Sequence, residues 1–313
     1  MPSQPNLPLA DGYQLLDYRI ERPLSSGGFS IVYLATAADG NPVAIKEYLP
    51  SNLVVRTEGA TVETKSPENL IRFRHGLKCF FEEGRALAKI SHPNVVRVEN
   101  FFRANDTVYM VMQYVRGRTL QFHVKTNRKQ LTEAFIRRFF STLLNGLREV
   151  HTHKLLHLDI KPANIYVNME GVPILLDFGA ARRGLAGDGP QLKPMYTQGF
   201  AAPELYTQDG RMGPWTDIYS VGATLFACLT GSPPQAADAR TQEDKLESAH
   251  KLLGNRYSPE LLDIIDWCLR IDPLARPQSV FALQKALKQY PFENSQKPSF
   301  FAALRDKLKV SGG

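Results

Sequence analysis

His157-Leu-Asp-Ile-Lys-Pro-Ala-Asn164 gathers a carboxylate, an amine and a carboxamide into one short Pro-containing loop, and Asp177-Phe178-Gly179 follows after the apolar run Ile174 to Leu176. Phosphoryl transfer asks for four things: phosphates held, charge neutralised, a metal bound and a nucleophile aligned. Asp159 is suited to accept or orient the proton of an attacking hydroxyl, Lys161 to stand by the transferred group, and Asn164 to offer an amide oxygen to Mg²⁺. Asp177 is a hard oxygen ligand for the same ion. Asp-Phe-Gly alone recurs by chance; its weight comes from its distance after the first loop.

Upstream, Val43-Ala-Ile-Lys46 places one lysine among strand residues. A strand lysine is ordinarily a solvated side chain. Lys46 gains significance from a carboxylate in the helix that follows, which would pin it against the α- and β-phosphates. Glu82 and Glu83 both qualify, and Glu83 is preferred because Leu87, one turn on, then faces the same way.

Residues 1–15 are polar and Pro-rich and are expected to form a flexible tail. Strand-like runs cover Tyr18 to Leu24, Ser30 to Ala35 and Val43 to Tyr48, broken by Ser-Ser-Gly-Gly and by Asp39-Gly-Asn-Pro42. Val54 to Arg56 and Ala60 to Val62 suggest a small hairpin around Glu58-Gly59. Ser66-Pro67-Glu68 reads as a helix start, with serine as N-cap and proline in the first turn, and the helix should run to about Ile90. Two more strands are expected at Val95 to Phe102 and Thr107 to Tyr114. After Gly117 helical spacing takes over, at Phe135 to His151, Trp215 to Thr230, Pro259 to Leu269 and Gln278 to Leu287. The fold class is therefore α+β: a small antiparallel β lobe with one main helix, then a larger, mostly α lobe.

Bulk properties narrow the function classes. With 313 residues and 43% hydrophobic content the chain can bury a sizeable core. The net charge of +7 is spread, with no long basic run interleaved with aromatics, so no nucleic-acid partner is expected. Cys79, Cys228 and Cys268 lie far apart without CxxC spacing, which reads as buried or free thiols of a reducing compartment. Val221 to Leu229 is too short to span a bilayer, and a cytoplasmic protein without a transmembrane segment is expected. The C-terminal stretch around Phe300, Phe301, Leu304 and Leu308 could form an amphipathic helix.

These residues resemble the eukaryotic-type (Hanks-type) Ser/Thr protein kinase family, and Lys46-Glu-Tyr-Leu-Pro50 is similar to its bacterial branch. The resemblance runs from about Tyr18 to Leu287. It implies the bilobal protein-kinase fold, with a kinase domain at 16–290 divided into an N-lobe of about 16–115 and a C-lobe of about 116–290, and a tail at 291–313. It implies ATP and Mg²⁺ (or Mn²⁺) as cofactors, protein substrates, and a cognate phosphatase as partner. Ala202-Pro-Glu204 resembles the motif closing the activation segment, Asp217 the start of the central helix, and Arg276 the partner of Glu204. Met112 aligns with the gatekeeper and Gln113 to Val115 with the adenine-binding hinge. Ala44 and Tyr166 would sandwich the adenine; Ser25, Gly27, Ser30 and Val32 would lie over the nucleotide; Val98, Leu87, Phe178 and His157 would form the column linking the lobes. The helix also ends before His92-Pro-Asn94, as the family pattern has it.

The chain departs from the pattern in three places. The glycine loop reads Ser25-Ser-Gly-Gly-Phe-Ser30, keeping Gly27 in register, so weaker ATP binding is expected. Leu158 stands where the family has arginine, and Ala180 to Tyr196 holds no Ser or Thr, so activity without activation-segment phosphorylation is expected. Between Lys46 and Glu83 the chain is long, which marks an insert at 49–79. Two other classes fit less well. A pseudokinase would explain the altered glycine loop but not the intact Lys46, Asp159, Asn164 and Asp177. An aminoglycoside-type small-molecule kinase lacks counterparts of Glu204, Asp217 and Arg276.

Overall fold

The computed structural model describes residues 6–56, 59–178, 196–207 and 210–289. Contacts group these into a first unit, 6–91 with 96–115, and a second, 92–95 with 116–178 and 196–289.

The first unit is built on an antiparallel sheet in the order β1-β2-β3-β4-β8-β7. The strands are β1 (Gln14–Leu15), β2 (Tyr18–Ser26), β3 (Ser30–Ala37), β4 (Pro42–Tyr48), β7 (Val98–Ala104) and β8 (Thr107–Gln113). In β3 the alternation Ile31, Tyr33, Ala35 is buried, the period-2 signature of a strand. In β4 every residue from Ile45 to Tyr48 is buried, because both faces of that strand are covered. Gly40, at φ +83°, makes the β3–β4 turn, where Asp39 accepts a bond from the Asn41 amide. The small hairpin forms from β5 (Val54–Arg56) and β6 (Val62–Thr64).

Helix α1 (Pro67–Leu87) buries Phe73, Phe80 and Leu87, and Tyr48 of β4 packs on Phe73 and Phe80 with centroids 5.7 and 5.6 Å apart. Ser66 occupies the N-cap position, but its side chain accepts nothing from the helix; it hydrogen-bonds Glu68 instead. The expected loose tail is corrected for residues 6–15. Leu9 and Leu15 are buried at 3% and 2% exposure, and Leu9 donates its amide to the Tyr33 hydroxyl. Polar composition had suggested a tail, yet the partners of this backbone come from distant residues that no local pattern reveals.

The second unit holds a small sheet, β11-β10-β9, from β9 (Gly117–Thr119), β10 (Ile165–Asn168) and β11 (Pro173–Leu175). Val95 bridges to Leu175 here, so the strand expected from Val95 begins only at Val98. The helices are α2 (Leu120–Asn127), α3 (Glu133–Thr152), α4 (Pro214–Thr230), α5 (Ala237–Gln242), α6 (Ala249–Leu253), α7 (Pro259–Cys268) and α8 (Val280–Lys288). α4 is buried from Thr216 to Leu229, as its apolar run on all sides requires. Gly222 lets α7 approach it: a Cβ there would come within 2.4 Å of the Cys268 Cβ. Thr132, Ser258 and Ser279 cap α3, α7 and α8 through their side chains. Among the described residues no helix is long and apolar enough to cross a membrane. The expected C-terminal amphipathic helix lies outside the described residues, as do Gly179 to Met195.

Candidate active site

The loop from His157 to Asn164 is fixed by its backbone before any catalytic side chain is placed. Asp217, at the start of α4 and fully buried, accepts the amide of Leu158 on Oδ1 (2.7 Å). Its Oδ2 takes the amide of His157 (2.9 Å) and Nε2 of His151 (2.8 Å). Leu158 thereby sits at φ +63°, a left-handed conformation that a leucine adopts only when its surroundings impose it. Burial holds the His157 imidazole neutral by lowering its pKa, and its ring stacks on Phe178 at 4.4 Å.

With the backbone held, three groups converge on the Asp159 carboxylate. Lys161 donates from Nζ to both oxygens, at 2.9 and 3.1 Å. Asn164 donates from Nδ2 to Oδ2 at 2.7 Å and to the Asp159 carbonyl at 2.9 Å. The Thr197 hydroxyl donates to Oδ1 at 3.0 Å and accepts from Lys161 at 2.7 Å. Asn164 spends its NH₂ on Asp159, which leaves its amide oxygen as the atom presented to a cation. Asp177, just past β11, is also left-handed, at φ +49°. The Leu176 amide donates to the Asn164 carbonyl at 2.9 Å, tying the two metal-ligand candidates together through the backbone. Tyr166 lies in β10, its hydroxyl on the Gly117 carbonyl at 2.9 Å.

Below this loop, Arg276 grips Glu204 with two parallel bonds, Nη1 to Oε1 at 2.9 Å and Nη2 to Oε2 at 3.0 Å. Arg276 also donates to the carbonyls of Arg270, Ile271 and Trp215, and stacks over Tyr219 at 4.9 Å. Leu158 points into an apolar cluster with Ala201 and Leu205, against which Leu156, Tyr196, Tyr206 and Met212 pack.

The first unit carries the nucleotide-side candidates. Lys46 of β4 is 8% exposed and lies over the Phe80 ring of α1, 5.6 Å from its centroid. Glu83 is buried, whereas Glu82 stands in solvent with a long 3.9 Å pairing to Lys78. Ala44 pairs with Met112, and Lys46 with Val32 on one side and Met110 on the other. Met112 is buried and Gln113 exposed at the end of β8; Val115 follows, half-buried. Ser25 and Ser26 stay in the ladder opposite Val32 and Ile31. Gly27 bonds the Ser30 carbonyl at 2.9 Å, closing the loop. The loop's outer edge is tied down: the Gly28 carbonyl accepts from the Ser51 amide and hydroxyl, and the Phe29 carbonyl from the Leu49 amide. Leu87 and Val98 are buried in this unit, as His157 and Phe178 are in the other.

Three residues of consequence escaped the sequence reading. His151 has no role in it, and its Nε2 is a hydrogen-bond partner of Asp217. Thr216 donates to Glu204 at 2.8 Å. Glu47, beside Lys46, is a fully buried carboxylate. The one available signal was a second charge, next to Lys46, in a largely apolar strand.

Comparison with known proteins is consistent with this geometry. A family model described as "Protein kinase domain" matches residues 18–290. The solved structure of PpkA-294 in its apo form is 34% identical, with a TM-score of 0.83, covering 91% of this chain and 100% of that one. Serine/threonine-protein kinase B of Synechocystis is 26% identical over 86% of this chain and 48% of its own length. The mouse inactive serine/threonine-protein kinase PLK5 is 33% identical over 63% of this chain and 33% of its own. The Mycobacterium tuberculosis PknI kinase domain, 20% identical with a TM-score of 0.67, shares the fold. The chain thus spans a third to a half of these curated relatives' length. Matched across nearly all of the two described units and carrying the loop that converges on Asp159, the chain belongs to the protein kinase family.

Proposed function

We propose that this chain transfers the γ-phosphoryl group of ATP to Ser or Thr hydroxyls of protein substrates. The observation that carries the reading is the Asp159 carboxylate held by Lys161, Asn164 and Thr197. A carboxylate so restrained can orient and deprotonate an incoming hydroxyl without rearranging. Lys161, already beside it, offsets charge on the transferred phosphoryl. Lys46, with Glu83 as its partner, would position the α- and β-phosphates, and the backbone around Gly27 would cover them. Ala44, Val32, Met112, Gln113, Val115 and Tyr166 would receive the nucleoside. Asn164 and Asp177 fit Mg²⁺: an amide oxygen and a carboxylate are hard donors, and this ion takes few protein ligands alongside phosphate oxygens. When bound, Mg²⁺ supplies positive charge that offsets the phosphate oxygens.

The activity needs no phosphate on the activation segment. The site where an arginine would receive that phosphate is Leu158, 7% exposed and packed with Ala201 and Leu205. A pseudokinase is the second reading, favoured by Ser25 and Ser30 in the glycine loop, where a Cβ restricts close approach to phosphate. Radiolabelled ATP transfer separates the two. Wild type, stripped with a phosphatase that is then removed, should phosphorylate a general Ser/Thr substrate without a lag, and Asp159→Asn should be slower by roughly two to four orders of magnitude. Equal rates for both proteins would overturn the assignment of Asp159, and a lag that ends when Tyr196 or Thr197 is modified would overturn the phosphate-independent reading.

A further inference from the structure

The buried carboxylate of Glu47 joins several pieces of the first unit. Its Oε1 accepts the Tyr109 hydroxyl of β8 at 2.7 Å, and its Oε2 accepts the Tyr33 hydroxyl of β3 at 2.7 Å. Both strands flanking β4 are thus fastened to it. Arg56, at the end of β5, donates from Nη2 to the same Oε2 at 2.5 Å. The other guanidinium nitrogens go elsewhere: Nε to the Leu7 carbonyl at 2.9 Å, and Nη1 to the Ala60 carbonyl. The Tyr33 hydroxyl accepts the Leu9 amide at 3.1 Å. Asn105 donates to the Tyr109 hydroxyl at 3.0 Å, accepts the Tyr13 hydroxyl at 3.1 Å, and takes the Val62 amide on its carbonyl at 3.1 Å. The side chains of Arg56 and Glu47 are 2% and 0% exposed.

A buried ion pair of this kind is weak evidence of net stability, since desolvation cancels much of its attraction. What it fixes is geometry, because every polar partner must be met in one arrangement. That arrangement is centred one residue from Lys46. Successive strand residues face opposite sides, so Glu47 grips the back of β4 where Lys46 projects from the front.

We infer that the segment 6–9 and the paired strands β5 and β6 form a brace that sets the position of Lys46, with Glu47, Arg56 and Tyr33 as positioning residues for phosphoryl transfer. The inference rests on the reading of Lys46 as the phosphate-positioning lysine. It gives the insert at 49–79 and the N-terminal segment a common task. Small misplacements of a positioning group cost up to about a hundredfold in rate, so loss of part of the brace should cost about tenfold.

The test uses the full chain with two mild variants. Arg56→Lys keeps the charge, but an ammonium cannot span the three acceptors that the planar guanidinium reaches. Tyr33→Phe keeps the ring and removes the hydroxyl that holds Leu9 and Glu47. Both are assayed well below their thermal midpoints, with amide hydrogen exchange at Leu9 reporting whether the segment has let go. We expect faster exchange at Leu9 in both, KM for ATP raised or kcat lowered by about tenfold, and KM for the protein substrate within twofold of wild type. Faster exchange with both ATP parameters within twofold would make the network structural only and overturn the inference. Unchanged exchange in both variants would overturn the brace itself. Lys46→Met is the separate control: wild-type turnover in that variant would refute the role of Lys46, whatever the brace variants do.

Discussion

Replacing Asp217 with Asn tests how the catalytic loop is held. The carboxylate accepts three bonds, from the amides of Leu158 and His157 and from His151. An amide has one oxygen and one NH₂, so one side must face a donor with a donor. In the better orientation the oxygen replaces Oδ2 and keeps His157 and His151, and the Leu158 amide is left buried without an acceptor. That loss costs about 1.5–3 kcal/mol, and the two surviving bonds each weaken by roughly 0.5–1 kcal/mol on losing the charge. The sum, about 2.5–5 kcal/mol, is a large share of the 5–15 kcal/mol typical of a folded chain. At about 2–4 °C per kcal/mol for a chain of this size, the thermal midpoint should fall by about 5–20 °C. The same bond holds Leu158 left-handed next to Asp159, so turnover should fall as well, measured well below the new midpoint. A midpoint within 2 °C of wild type, with unchanged kcat, would refute the view that Asp217 sets the loop.

Further outcomes follow from the same geometry. Lys46→Met and Asp177→Asn should each abolish transfer, the first by loss of phosphate positioning and the second by loss of a metal ligand; full activity of Asp177→Asn at limiting Mg²⁺ would remove it from the metal site. A peptide library should return no dominant arginine three residues before the acceptor, because Thr119 and Ala163 carry no charge and Thr119 is spent capping α2 through the Phe122 amide; a strong arginine preference would contradict this. Burial lowers the pKa of His157, and that of His123 to about 4. The unfolded chain takes up these protons below about pH 6.5 and the folded chain does not, so stability should fall as pH drops from 7 to 5.5, by at most about 1.4 kcal/mol per pH unit for each histidine. His123→Gln should flatten the pH dependence of the thermal midpoint, and an unaltered slope would exclude His123 as a contributor.

Local patterns carried much of this protein. Alternation in β3, the turn at Asp39-Gly40 and the continuous apolar run of α4 are properties of neighbouring residues, and sequence displays neighbours. The order of Lys46, Asp159, Asn164 and Asp177 was legible because phosphoryl transfer constrains which groups must appear. Helical spacing with Leu87, together with the family's helix end, favoured Glu83 over Glu82, and Glu83 is the buried one of the two. Tertiary structure decided what depends on distant partners: that Leu9 and Leu15 are buried, that His151 and the loop amides share one carboxylate, and that Glu47 is buried. A buried charge survives only if groups far along the chain satisfy it, here Tyr33, Arg56 and Tyr109. No local rule over the residues around Glu47 contains that information, because the reason for its burial is the way three strands and a hairpin meet.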